Sequence, residues 1–420
     1  MAINIKKYAG ILAGSKYIFL LNLTDKLFSF GIMLLLARNF STEIYGIIVT
    51  LITLSMVFVS IFDLGLPIYI QREIAVNRSN SGEIFSRVFI TSTLLIVLYY
   101  FFLLILVHFI YPDIPFTLFT IITVMMYISF LVTISGKALS AINEYKKQFI
   151  AFILPRVLIL AFFITGIYSF RWNGNNLMLV MLLGIIINLL LALRYLLRNN
   201  IYLSLKGFSL IGVTNMIAIS IPLGLAVIFN FLYDKIDILL ISKQLDYNEA
   251  AFYNIAYGLF KASSLGFSFL LVAGFTKVAE LNRNADKIKE FFTEHAKIIT
   301  VICILFNVIL YFFADFIIYT IYTDKFTDSI AILRILSFGI IAMGLNNLTG
   351  IILNGMGYFK IVMYITLYAL LMNVVFNVMF IPLYGIKASA YLTLITEYFI
   401  LIVEWIYMRK IFAELKQKSV

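Results

Sequence analysis

Apolar runs of about twenty residues recur along this chain, each followed by a short polar cluster, and a helix of that length is what crosses a bilayer. The runs are continuous rather than alternating, which predicts helices and argues against a transmembrane β-barrel. They fall near residues 17–37, 46–70, 87–110, 116–136, 149–169, 177–197, 214–242, 250–275, 295–314, 330–353, 359–381 and 386–408, giving about twelve spans. Hydrophobic residues are 63% of the 420 and charged residues 13%, more apolar surface than a soluble chain can hide. The expected fold is an all-α polytopic membrane protein.

The distribution of lysine and arginine sets an expected orientation. Assigning loops alternately to two sides places 22 of the 32 basic residues on the side of the N-terminus and 5 on the other. By the positive-inside rule both termini are then cytoplasmic. The same loops account for the net charge of +11, so no nucleic-acid partner is expected. The basic N-terminal stretch leads into a span containing Asp25 and Lys26 without a small-residue cleavage site, and it reads as a retained first span. A lone Cys303 in an apolar run and two distant histidines, His108 and His295, offer neither a disulfide framework nor a metal site. No P-loop, zinc spacing or nucleophile elbow occurs, so no catalytic residue, metal or cofactor is expected and the chain does not read as an enzyme.

What remains is charge inside the spans, at about 2.5 to 3.5 kcal/mol per group at a helix centre on insertion scales. The run Ile221 to Ser242 carries Asp234, Lys235 and Asp237, and Asn230, Asp234 and Asp237 share one helix face. In the first span Asn22, Asp25, Lys26 and Ser29 form a similar stripe. Five basic residues lie within spans: Lys26, Arg156, Lys235, Lys261 and Arg334. Arg156 and Arg334 sit near span ends, where long side chains snorkel to the interface. Adjacent helical residues point apart, so the Asp-Lys neighbours are expected to find partners on other helices. Buried acids are Asp25, Asp234, Asp237 and Glu397, with Glu404 closer to the inner interface. Ser389, Thr393, Thr396 and Glu397 make a stripe in the last span, and Asn373 and Asn377 pair at i, i+4 in the one before. Hydroxyls and amides suit a sugar-like cargo and buried cations suit a phosphate; the commoner use of such hydroxyls and amides is helix-helix adhesion.

Two sequence echoes point to duplication. Leu23-Thr24-Asp25-Lys26-Leu27 reads against Leu232-Tyr233-Asp234-Lys235-Ile236, and Gly136 to Lys146 aligns with Gly350 to Lys360 at a constant offset of 214. Six spans per copy is an even number, which predicts parallel repeats about an axis along the membrane normal. The expected lobes are residues 1–205 and 206–420, with the boundary near Leu205 to Ser209. Pro67, Pro155 and Pro222, in or at the ends of spans, are places where helices can bend.

Several stretches carry a resemblance: Asp63-Leu64-Gly65-Leu66 followed by Arg72-Glu73-Ile74-Ala75, Ile221-Pro222-Leu223, Asp234-Lys235-Ile236-Asp237 with Tyr253 after it, Ile352 to Gly357, and Ile381 to Ala390 leading into Thr396-Glu397. Together they resemble the polysaccharide flippases of the MOP superfamily, the Wzx-type translocases of O-antigen or other repeat units. That resemblance implies a two-lobed, MATE-like fold in a bacterial cytoplasmic (inner) membrane. The implied cargo is an undecaprenyl-pyrophosphate-linked oligosaccharide moved by alternating access through a central cationic cavity. Lys26, Lys235 and Lys261, then Arg156 and Arg334, would line that cavity, with Asp25, Asp234, Asp237 and Glu397 as cavity or coupling acids for H+ or Na+. Membrane lipids and the polysaccharide polymerase and chain-length machinery are the implied partners. Two readings compete: a MATE-like exporter of small molecules or drugs, which the surplus of cations disfavours, and a non-transporting scaffold, which has no use for charged stripes in both halves.

Overall fold

The computed structural model describes residues 5–204, 209–271, 274–281 and 284–417, and among these the chain is helical with no strand. The helices are α1 Ile5–Asn39, α2 Thr42–Phe62, α3 Leu66–Val76, α4 Ser81–Ile110, α5 Phe116–Ala141, α6 Tyr145–Tyr168, α7 Gly174–Leu197, α8 Leu210–Gln244, α9 Tyr247–Ala262, α10 Leu265–Leu271, α11 Gly274–Glu280, α12 Ala285–Phe312, α13 Ala314–Ile317, α14 Ser329–Ser337, α15 Ile340–Gly355, α16 Phe359–Tyr384 and α17 Ile386–Gln417. Nine of the described helices are long and apolar enough to cross a membrane alone. Two broken pairs, the halves of α8 on either side of Pro222 to Val227 and the pair α14 with α15, raise the number to eleven. The eighth expected span, 250–275, is instead divided among α9, α10 and α11. The run there is interrupted by Lys261, Ser263, Ser264 and Gly266, and the backbone turns where those polar and small residues fall.

The chain divides into two compact units, residues 1–228 and 229–420. The expected lobe boundary lies largely on residues 205–208, outside the described residues, whereas the division between units falls inside α8. The reason is local: the first half of α8 packs on the first unit. Leu64 and Gly65, between α2 and α3, both take positive φ, +51° and +76°, and the Asp63 carboxylate accepts the Gly65 N–H at 2.7 Å. That left-handed turn lies directly on Gly224 of α8. A methyl group on Gly224 would sit 2.7 Å from the Gly65 backbone nitrogen, where no flexible side chain can yield. Gly224→Ala is therefore expected to destabilise the protein by about 1 to 3 kcal/mol. Gly258→Ala, where an added methyl meets nothing within 4 Å, should raise stability slightly through helix propensity. Thermal melting in detergent separates the two.

Within the first unit α5 packs against α2, α3 and α7, and α1 against α6. Two of its buried tyrosines are anchored through their hydroxyls: Tyr127 donates to the Ser92 carbonyl and Tyr99 to the Ser55 carbonyl, as a phenol in an apolar core requires. In the second unit α17 packs on α14, α15 and α16, and α9 on α14. Tyr233, Ile365, Ala369, Leu370 and Ile400 form an apolar cluster there.

The sequence echo at offset 214 is also an echo of backbone geometry. The turn after α5 and the turn after α15 place Asn143 and Gly357 at φ of 67° and 87°. The next residues, Glu144 and Tyr358, have φ, ψ of −86°, 47° and −87°, 39°. The hydrogen bonds match one for one: Ile142 to Ala138 and Met356 to Ile352, Asn143 to Ser140 and Gly357 to Asn354, Glu144 to Leu139 and Tyr358 to Leu353. Both turns then enter a long helix one residue later, α6 and α16.

Candidate functional site

In the second unit the charged face of α8 meets α9 and, deeper, α16 and α17. Asp234 and Asp237 are three residues apart, close to one helical turn, yet they stand in different surroundings. Asp234 is bridged by two ammonium groups: Lys261 of α9 at 2.8 Å and Lys235 at 3.1 Å, all three side chains between 27% and 32% exposed. Tyr257 completes the group, its hydroxyl donating to Asp234 at 2.8 Å. Both lysine Nζ atoms lie over its ring, at 5.9 and 5.4 Å from the centroid, a favourable position for a cation on an aromatic face. The expectation that adjacent Asp and Lys would not pair is corrected here. Their Cβ atoms do diverge, but the four-carbon lysine stem is long enough to bring the ammonium back to its neighbour.

Asp237 is 4% exposed and, among the described residues, has no lysine or arginine within ion-pair distance. It is held by neutral donors from three helices. Tyr253 of α9 donates at 2.6 Å and Thr393 of α17 at 3.0 Å to Oδ2, and the Asn377 amide of α16 donates at 3.0 Å to Oδ1. Around them Asn377 also bonds Asn373 and receives the Ser389 hydroxyl. The polar pairs read from the last two spans thus converge on one carboxylate. The face Asn230, Asp234, Asp237 does not share one environment: Asn230 is exposed and Asp237 is interior.

Glu397, 4% exposed, accepts from the Asn346 amide of α15 at 2.8 Å, and Tyr233 and Thr396 hydroxyls pair at 3.0 Å beside it. Two turns further along α17, Glu404 accepts from the Thr349 hydroxyl of α15.

In the first unit, Arg156 of α6 binds the Asp25 carboxylate of α1. It also donates to the Phe152 carbonyl at 3.0 Å and lies 5.6 Å from the Phe28 ring centroid. Lys26 is exposed on the unit surface and pairs with no carboxylate among the described residues. Arg334 is paired with Asp315 and donates to the Tyr311 carbonyl, apart from the cluster at Asp234. Tyr257, Tyr233, Asn346 and Asp315 were not foreseen. For Tyr257 a signal existed, since Tyr253, Tyr257 and Lys261 recur every fourth residue along α9.

The arrangement is that of a polytopic membrane protein, with long apolar helices that carry ionisable groups, some of them, such as Asp237 and Glu397, buried. Its fold is that of the MOP superfamily. A multidrug-resistance MATE family transporter of that superfamily, solved in an inward-facing conformation, superposes with a TM-score of 0.81 at 15% identity, covering 94% of this chain and 96% of the other. The lipid II flippase MurJ, in an inward closed conformation, matches with a TM-score of 0.73 at 14% identity over 97% and 90% of the two chains. An uncharacterised membrane protein of Methanocaldococcus jannaschii is 24% identical over 411 residues, 91% of this chain and 94% of its own. The polysaccharide biosynthesis protein family matches residues 11–275, and the MatE family matches 222–379. The chain belongs to the polysaccharide biosynthesis protein family. The resemblance to MOP-superfamily flippases and the expected all-α, many-span, MATE-like fold are borne out, with nine to eleven candidate spans among the described residues where about twelve were expected.

Proposed function

We propose that this protein is a flippase that carries an undecaprenyl-pyrophosphate-linked oligosaccharide repeat unit across a bacterial cytoplasmic membrane, supplying O-antigen or another surface polysaccharide. The observation that carries the reading is the pair of partly open ammonium groups, Lys235 and Lys261, sharing the single Asp234 carboxylate inside otherwise apolar helices. They provide positive charge in the second unit, and Lys26, which meets no carboxylate among the described residues, provides it in the first, where a pyrophosphate would otherwise face hydrocarbon. Membership of the polysaccharide biosynthesis family and the fold shared with MurJ support a lipid-linked cargo. Both termini lie in the cytoplasm by the distribution of basic loops. The lipid tail remains in the bilayer while the glycan is held by hydroxyls and amides, and access alternates between the two faces. The polysaccharide polymerase and chain-length machinery receive the product.

Directional cycling needs an energy source, and Asp237 is the group we assign to it. A carboxylate held only by neutral hydroxyl and amide groups can exchange a proton or accept Na+ without first breaking an ion pair. Glu397, held by Asn346, is the second candidate. A MATE-like small-molecule exporter is the competing reading, favoured by the match of the MatE family to residues 222–379.

The test is polysaccharide export in cells lacking this chain, complemented by the intact protein, Lys26→Ala or Lys235→Ala at matched membrane levels. Loss of surface glycan with lipid-linked repeat units accumulating inside is expected for the deletion and both variants. Normal surface glycan in the deletion would favour the exporter. Full export by both variants would remove the two lysines from the site.

A further inference from the structure

Where α12 meets α17, an open groove of about 540 Å³ is lined by Phe292, Ala296, Lys297, Thr300, Val301 and Trp405. Residues 292, 296 and 300 recur every fourth position and so line one face of α12. The floor is apolar and the rim is cationic. Lys297 lines the groove, and next to it the Arg409 guanidinium lies 5.2 Å from the ring centroid of the lining Trp405, whose ring packs against Phe292 at 5.4 Å. Neither Lys297 nor Arg409 is within ion-pair distance of a carboxylate among the described residues. The acids closest along the helices are Glu290, Glu294 and Glu414, which make no ion pair with either, and Glu404, which is turned to Thr349.

The groove also sits at a defined level. On α12 the charged residues end at Lys297; on α17 residues 398–408 carry Glu404 as their one charged residue, and the chain then reads Arg409-Lys410. Both helices therefore leave the hydrocarbon at this point, where tryptophan is the characteristic residue. A soluble anion would use the cations and leave the apolar floor bare, and a neutral lipid would do the reverse. We propose that the groove holds one anionic phospholipid, its phosphate between Lys297 and Arg409 and an acyl chain along Ala296, Thr300 and Val301 beside Trp405.

The chain contains two tryptophans, Trp172 and Trp405, so Trp172→Phe leaves Trp405 as the sole reporter in the groove. The variant is reconstituted in phosphatidylcholine vesicles containing equal mole fractions of chain-brominated phosphatidylglycerol or chain-brominated phosphatidylcholine. Quenching of Trp405 is expected to show about a five-fold preference for the anionic lipid, the effect of one basic residue near an anionic surface. Lys297→Gln with Arg409→Gln should abolish that preference. Equal quenching by both lipids, or a preference that survives the two substitutions, overturns the proposal. Weak quenching by both with the protein dimeric would assign the groove to a second copy of the chain. Should Trp172→Phe fail to fold, native mass spectrometry of the unmodified chain and of Lys297→Gln provides the second arm: retained phosphatidylglycerol must fall in the variant, and unchanged retention also overturns it.

Discussion

Asp237→Asn is expected to yield a folded protein whose transport falls by about 5- to 150-fold, the span of typical coupling free energies. The substitution keeps the shape of a side chain that is 4% exposed and removes its capacity for charge together with one acceptor oxygen. Tyr253, Thr393 and Asn377 all donate to the carboxylate. An asparagine offers one oxygen in place of two, so one of the three donors must turn away, at a cost of about 1 to 3 kcal/mol. The measurement is flux of lipid-linked glycan in proteoliposomes under an imposed Na+ or proton gradient. If Asp237 is the coupling group, wild-type flux rises with one gradient and the variant is indifferent to both. A variant that still responds to the gradient with wild-type steepness would place coupling elsewhere, with Glu397 next in line.

Asp234→Ala is expected to cost more stability than the loss of either lysine. Removing the carboxylate leaves the Lys235 and Lys261 ammonium groups facing each other across Tyr257. Breaking a fully buried pair costs about 3 to 5 kcal/mol; with these side chains about 30% exposed, solvent screening brings the expected loss to about 1 to 3 kcal/mol. Adding Lys261→Ala to Asp234→Ala should restore much of that stability while leaving transport impaired. Thermal melts of the two single variants and the double variant form the cycle that isolates the interaction. Additive losses would mean that the three groups do not act as one charge-balanced unit.

The positions of the long helices were legible because a bilayer demands a run of fixed length, and eleven of the expected spans correspond to a helix or a broken pair. The eighth failed at Ser263 to Gly266, where average hydropathy was sufficient but the local sequence favoured a turn. The polar pairs Asn373 with Asn377 and Ser389 with Thr393 were visible as helical stripes, because period alone places them on one face. Their convergence on Asp237 was not visible, since three helices of different sequence neighbourhoods meet there. The contact of Asp234 with Lys235 was misjudged for a different reason: facing rules describe Cβ directions, and lysine reaches well beyond its Cβ. The contact of Gly65 with Gly224 has no side chains to announce it, so no pattern of residue types could have revealed it.

The two turns at offset 214 show that different residue types can carry the same backbone step. One copy uses Asn143 and the other Gly357 for the same left-handed step, the two residue types for which that conformation is cheapest. The identity of the residue is free within the tolerance of the peptide chain itself, so the path of the main chain matches between the two turns more closely than their letters do. Asn143→Gly and Gly357→Asn would exchange the two residues at a cost confined to local strain.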